Sequence, residues 1–500
     1  MITDVSTRIL NKIVKSPVFD YLPPTPLDYM HKLSQSCSND VYIKREDLQP
    51  INSFKIRGAY QKIMSLTLNQ LNLGVVAASA GNHAQGVAKV CKELGANATI
   101  VMPEVTPKIK VDAVRAYGAH VVLTGVNYDD AYDYAIKLAN THNMTLVHPF
   151  DDIEVIYGQG TIGVELLNQI DELDYLFVQV GGGGLLSGLL LVMRALSPNT
   201  KVIAVEPEGA QTLGESLKKK QVTKLDAVCT FSDGVAVRQI GNLPYNICSG
   251  EIDGHVAVAN DEVCSAIQQI HEDTRAMAEC SGAVGLAGAN KYLRENGLEG
   301  KNVAVILSGS NINFQKLEYV AQRYNLGQMR EKLLHIVLPE RKGELIKLLS
   351  HINDVNITEI KYRKSKYDIR ANIILSFSSN DSELLESKVD ILASAGYTIT
   401  DLTKSDIGKS HLRFMIGDSK FGSTVETERF YRLEFPEKQG QLLSTLNRIY
   451  IDVEITALNY RQNGQHECSL LLGVDSSSEP DYSNFKDGES YKIQLIDFGL

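Results

Sequence analysis

Six short runs rich in β-branched residues punctuate the first 320 residues, at 74–79, 98–102, 120–124, 175–180, 201–206 and 303–307. Amphipathic helical patterns fill the intervals. Strands that are apolar along their whole length are buried on both faces, and a parallel sheet covered by helices on either side buries them so. The expected body is therefore α/β, built from doubly wound parallel sheet. Open parallel sheets receive ligands beyond the carboxyl ends of their strands, so the loops that follow these runs should carry the chemistry.

The chain has 500 residues, room for roughly three domains. Apolar residues make up 44% and charged residues 22%, a composition that fills large cores without disulfides or structural metals. Fifty basic against sixty acidic side chains leave a charge of −10 with no basic block, which argues against nucleic-acid and anionic-membrane partners. The seven cysteines form no CxxC pair, so reduced thiols and a cytoplasmic location are expected. The opening MITDVSTRIL lacks a basic-then-apolar leader pattern. The most apolar stretch, 185–193, is far shorter than the roughly 20 residues that span a bilayer.

The texture changes near residue 320. Residues 314–332 read as a helix, a glycine break and a charged connector, and an internal repeat follows. LPERKGEL at 338–345 matches FPEKQGQL at 435–442, and ITEIKYR at 357–363 matches ITALNYR at 455–461. Each copy reads as strand, glycine turn, helix, then a strand ending Tyr-Arg. The expected division is a catalytic body at 1–325 with a smaller subdomain at 50–150, a linker at 326–333, and two α+β modules at 334–405 and 428–500. The first copy offers a second helix and a further strand; the second offers only a polar stretch at 476–490 before YKIQLIDF, so it is expected to be abbreviated.

Three loops in the body carry candidate chemistry. In SFKIRGA at 53–59, Lys55 lies between apolar neighbours, where desolvation makes an amine nucleophilic; the plain alternative is a lysine snorkelling from an amphipathic helix. SAGNHAQG at 79–86 follows a strand and presents several backbone N–H groups at a helix start, a nest for a carboxylate. Alternatively Ser79 or Asn82 simply caps that helix, and His83 is structural. Gly181, Gly182, Gly183, Gly184 and Leu185 lie between a strand and an apolar helix, a phosphate-binding arrangement. They fit neither a Walker loop nor GxGxxG. Glu206 is spaced as a ribose-binding acid would be, which leaves a dinucleotide site open.

Taken in order, these three loops and SGSNIN at 308–313 resemble fold type II pyridoxal-phosphate enzymes, above all the biosynthetic threonine dehydratase (threonine deaminase) family, which also ends in two ACT-like regulatory modules. The resemblance runs through nearly the whole chain. It implies pyridoxal 5'-phosphate as cofactor, carried on Lys55, with Asn82 at the ring hydroxyl, Gly181 to Leu185 around the phosphate and Ser308 at the ring nitrogen. It implies L-threonine, and L-serine beside it, as substrate, with the carboxylate on Ser79, Ala80, Gly81, Asn82 and His83. Lys55 would act as base, and the products would be 2-oxobutanoate and ammonia, the committed step towards isoleucine.

The resemblance also makes isoleucine an inhibitor and valine its antagonist, and suggests a homotetramer. Small apolar effectors would sit at the Gly343 and Gly440 turns, with the tandem modules pairing edge strands; otherwise the tail only builds an oligomer interface. Ala80 occupies a position that resembles a serine in related racemases, which disfavours racemase activity. Thr212 replaces an acidic residue that holds metal there, so no metal site is expected, and Glu206 and Glu208 should be solvated or paired. Gly234 resembles part of a loop over the substrate, or is a glycine required by positive φ. A serine dehydratase or another β-eliminating enzyme, and a non-catalytic amino-acid-binding regulator, are the alternative readings.

Overall fold

A computed structural model describes residues 4–339, 344–363, 370–410, 428–436, 455–461, 467–475 and 492–496. The chain divides into two compact units, Met1–Tyr324 and Asn325–Leu500.

The first unit contains two sheets. The larger runs, in spatial order, Leu27–Tyr29, Asp40–Arg45, Asn302–Leu307, Tyr175–Gln179, Lys201–Pro207 and Gly254–Val258. Its neighbours are parallel except for the antiparallel edge strand Leu27–Tyr29. The smaller sheet, His120–Leu123, Ala98–Met102, Val75–Ala78 and Thr145–Leu146, is parallel throughout. All six runs singled out by their apolar continuity are strands.

Three helices of this unit meet backbone to backbone. A Cβ added at Gly158 would lie 2.5 Å from the carbonyl oxygen of Arg57, and one at Gly188 would lie 2.6 Å from the amide of Gly160. Glycine is therefore required where the helices Lys55–Met64, Ile153–Leu167 and Gly184–Leu196 touch. A buried ionic cluster ties two of them, Lys55–Met64 and Ile153–Leu167, to the end of strand Asp40–Arg45. Arg57 donates to Glu46 at 2.8 Å and to Glu165 at 2.6 Å, and Lys44 donates to Glu165 at 2.7 Å. Lys44, Glu46 and Arg57 are fully buried and Glu165 is 5% exposed. Such a cluster is held only if its geometry and hydrogen bonds offset the cost of desolvation.

In the second unit, two antiparallel four-stranded sheets repeat one order: Asn356–Arg363, Arg370–Ser378, Glu331–Pro339, Thr398–Asp401, and Ile455–Arg461, Glu467–Asp475, Glu428–Pro436, Lys492–Ile496. Each copy carries a bulge at the same place, after Ile357 in one and after Ile455 in the other. The second sheet has four described strands like the first, with Lys492–Ile496 in the place of Thr398–Asp401; the expected abbreviation concerns the stretch where the first module has its second helix. Residues 476–490 and the Gly343 and Gly440 turns lie outside the described residues.

The helix Phe314–Gly327 continues past 325 and strand Glu331–Pro339 begins before 334, so only 328–330 separate them. Among the described strands the modules do not pair edges. The first module's edges are a bulged strand and a four-residue strand whose Asp401 is tied to Lys332 at 3.1 Å, features that discourage strand addition.

Candidate functional site

Lys55 opens the helix Lys55–Met64. The residues before it are fastened to the end of strand Asn302–Leu307. Ser53 Oγ and Phe54 N both donate to the carbonyl of Ser308, at 3.0 and 3.1 Å, and Ser310 N donates to Asn52 O at 3.0 Å. The Lys55 amine donates to Pro149 O at 3.1 Å and lies 5.2 Å from the Phe54 ring centroid. Burial pushes this amine down to about 8, against the pull of the Glu279 charge. It is therefore no snorkelling surface lysine, and near neutral pH an appreciable fraction is the free, nucleophilic base.

The second loop joins strand Val75–Ala78 to helix Asn82–Leu94. Gly81 is the N-cap, and no side chain caps this helix; Ser79 Oγ accepts instead from Gly81 N at 3.2 Å. The reading of Ser79 or Asn82 as a helix cap is thereby excluded, and the first-turn amides stay available to an anion. Asn82 is held on both sides: Nδ2 donates to Glu279 at 2.8 Å and Oδ1 accepts from Asn311 at 2.8 Å. The His83 ring faces the interior, with Nε2 bonded to Val147 O at 2.8 Å. Burial pushes its pKa down to about 3, so the ring is neutral and only its backbone belongs to the nest. Ala80 packs against the core of the smaller sheet.

The third loop, Gly181 to Leu185, leads from strand Tyr175–Gln179 into helix Gly184–Leu196. Gly183 has φ of +88°. A Cβ at Gly182 would meet the Phe150 ring at 2.1 Å, and one at Gly181 would meet Val235 Cα at 2.8 Å. Among the described residues none accepts a hydrogen bond from the amides of Gly182, Gly183, Gly184 or Leu185. Four free donors at a helix N-terminus, in a cradle that any Cβ would fill, fit the phosphate of pyridoxal phosphate.

Glu279 has no local motif to announce it; it is 7% exposed and reaches Asn82 from 197 residues further along the chain. Gly234 donates its amide to Ser281 Oγ at 2.7 Å. Its φ is not among the positive ones; the reason for glycine is that a Cβ would lie 2.7 Å from Ser281 Oγ. Beside it, Asp233 pairs with Lys110 at 2.8 Å and Lys316 at 3.5 Å. Glu206 is neither solvated nor free for a ribose. Fully buried, it accepts from the amides of Leu213 and Gly214 at 2.8 and 2.9 Å and contacts His255 at 2.8 Å. Glu208 is exposed, 3.8 Å from Lys291.

Residues 18–309 match the family of pyridoxal-phosphate dependent enzymes, and residues 322–412 and 421–491 match the C-terminal regulatory domain of threonine dehydratase. The biosynthetic L-threonine dehydratase IlvA of Haemophilus influenzae is 44% identical over 469 residues, covering 93% of this chain and 90% of that protein. Its counterpart in Escherichia coli is 41% identical over 477 residues, 95% of this chain and 92% of that one. The processed form of threonine deaminase isoform 2 from Solanum lycopersicum superposes with a TM-score of 0.64 at 44% identity, covering 65% of this chain and 89% of its own. A serine racemase from Dictyostelium discoideum superposes at 0.57 with 33% identity, covering 61% and 98%. The catalytic and regulatory matches occur in one order along one chain, and on them the chain belongs to the threonine dehydratase family of pyridoxal-phosphate-dependent enzymes.

Proposed function

We propose that the protein deaminates L-threonine to 2-oxobutanoate and ammonia, with Lys55 as both cofactor anchor and base. The observation that carries this reading is the meeting of three loops on one α/β body: the Lys55 amine 3.1 Å from Pro149 O, a glycine cradle fit for a phosphate and an uncapped helix start fit for a carboxylate. The amides of Gly182, Gly183, Gly184 and Leu185, with Gly181 closing the turn, would hold the cofactor phosphate, Asn82 would hydrogen-bond its ring hydroxyl, and Ser308 would pair with its ring nitrogen. Pyridoxal phosphate, when bound, supplies an electron sink for the charge left at the substrate α-carbon.

The chain's own residues do the rest. The backbone from Ser79 through Ala80, Gly81 and Asn82 to His83 takes the substrate carboxylate and so aims the α-hydrogen at Lys55. The neutral amine of Lys55 accepts that proton. Loss of the β-hydroxyl as water and hydrolysis of the resulting enamine give the keto acid and ammonia. Ser308 would be an uncharged partner for the ring nitrogen, which would weaken the sink and favour elimination over transamination. The test is 2-oxobutanoate release from L-threonine by the purified protein; a cofactor-loaded protein that releases none would refute the substrate assignment.

Ala80 cannot carry a proton on the face opposite Lys55. With L-serine, pyruvate should therefore form and D-serine should not accumulate faster than it; chiral chromatography of the mixture checks this. Gly182→Ala is expected to bind cofactor about 5- to 150-fold more weakly, an overpacking cost of about 1–3 kcal/mol, read by titration of the apo-protein. We read the second unit as an isoleucine sensor with valine as antagonist, on a cytoplasmic homotetramer, with the regulatory-domain match at 322–412 and 421–491 as support. A chain ending at Arg330 keeps helix Phe314–Gly327, whose Val320 is buried in the core of the first unit. It should retain turnover and lose inhibition by isoleucine.

A further inference from the structure

We infer that Glu279 is a positioning residue: with Asn311 it fixes the side-chain amide of Asn82 so that an N–H, and not the carbonyl oxygen, faces the cofactor ring. The inference rests on the proposed contact between Asn82 and the ring hydroxyl. The two ends of an asparagine amide are nearly the same size, so its partners decide which way it points.

Here the partners leave one answer. Asn311 Nδ2 donates to the backbone carbonyl of Ile51 at 2.8 Å. A carbonyl only accepts, so the NH2 end of Asn311 must lie there. The same nitrogen donates to Asn82 Oδ1 at 2.8 Å, and its two hydrogens are then used. Asn82 Nδ2 gives one hydrogen to Glu279 Oε1 at 2.8 Å and keeps a second for the ring.

Glu279 is built for this contact. It is the N-cap of helix Cys280–Glu295, yet its carboxylate makes no capping bond to its own helix and reaches Asn82 instead. Its amide donates to Gly309 O at 3.1 Å, and a Cβ at Gly309 would lie 2.8 Å from Oε1. The same residue thus links the loop after Ser308 to the helix that begins at Asn82. Burial and the Asp233 charge push its carboxyl up to about 7, against Asn82, Lys110 and Lys316, and Lys55 feels its charge. An oxygen that accepts from Asn82 is present in either protonation state.

An N–H at the ring hydroxyl favours its ionised form, and a carbonyl there would oppose it. The experiment is a pH titration of the visible absorption band of the holoenzyme for wild type, E279Q, E279L, N311A and N82A, with cofactor affinity measured alongside. Glu279→Gln keeps an acceptor oxygen and should hold both quantities near wild type. Glu279→Leu should raise the band's midpoint by about one pH unit, a tenfold change in ionisation, and weaken cofactor binding in step. Asn311→Ala should move both in the same direction, and it decides the matter if Glu279→Leu does not fold. Unchanged midpoints in E279L and N311A beside a shifted N82A would overturn the inference alone, as would E279Q behaving like E279L. An unchanged N82A would overturn the placement of Asn82 at the ring as well.

Discussion

Lys55→Ala is expected to lower 2-oxobutanoate release by about a thousandfold or more, because general-base catalysis alone contributes about 10²–10⁴ and the anchor is lost with it. The decisive control is Lys55→Arg. A guanidinium keeps the positive charge and much of the bulk but does not deprotonate, so it should be as inactive as alanine. An arginine variant retaining substantial turnover would remove Lys55 from the chemistry. The pH dependence of cofactor uptake separates this amine from an ordinary one. Its folded pKa of about 8 lies below the unperturbed 10.4 or so, so uptake by the apo-protein should rise about fivefold from pH 7 to 8 and level off above that. An ordinary lysine would keep gaining tenfold per unit towards pH 10. Stability carries the matching sign: the lowered amine contributes fully above its unfolded pKa and loses that contribution as pH falls through about 8.

Much of this site could be read along the sequence because its backbone parts are local. A glycine run, a small-residue turn and a lysine in an apolar frame each announce a loop at a strand end, and the six apolar runs that precede or separate them are strands. Side-chain partners are not local. Glu279 and Asn82 are 197 positions apart, and nothing in the glutamate's neighbours distinguishes it from a solvated one. Strand Asp40–Arg45 escaped the apolar-run criterion because it ends in Lys44 and Arg45, charged residues that read as surface; both are buried by ion pairs made only in the fold. The edge strand Leu27–Tyr29 and the two-residue strand Thr145–Leu146 are too short to show any period. In the tail, the repeat located two like modules. Sheet edges are decided by bulges and charges across strands, and a repeat does not report those.

The ionic cluster behind Lys55 should dominate the stability of the first unit. Glu165 accepts from Lys44 at 2.7 Å and from Arg57 at 2.6 and 2.9 Å. Removing it leaves Lys44 with the carbonyl of Thr25 and the side-chain oxygen of Gln169, and Arg57 with Glu46 as its one remaining charged partner beside the Thr161 hydroxyl. Burial already pushes the Lys44 amine down while Glu165 and Glu46 hold it up. Glu165→Ala is expected to cost about 3–5 kcal/mol, the usual penalty for stranding a buried charge, measured by urea unfolding of the first unit. Lys44→Met combined with Glu165→Leu should cost less than Glu165→Ala, because it removes a charge instead of abandoning one. The effect should also reach the site. Arg57 lies two residues after Lys55 on the same helix, so loosening its guanidinium loosens the first turn that aims the amine. Glu165→Ala should therefore hold less cofactor than wild type at a urea concentration where both are still folded. Equal stability of Glu165→Ala and wild type would mean that the glycine contacts among the three helices, and not the ion pairs, set the direction of Lys55.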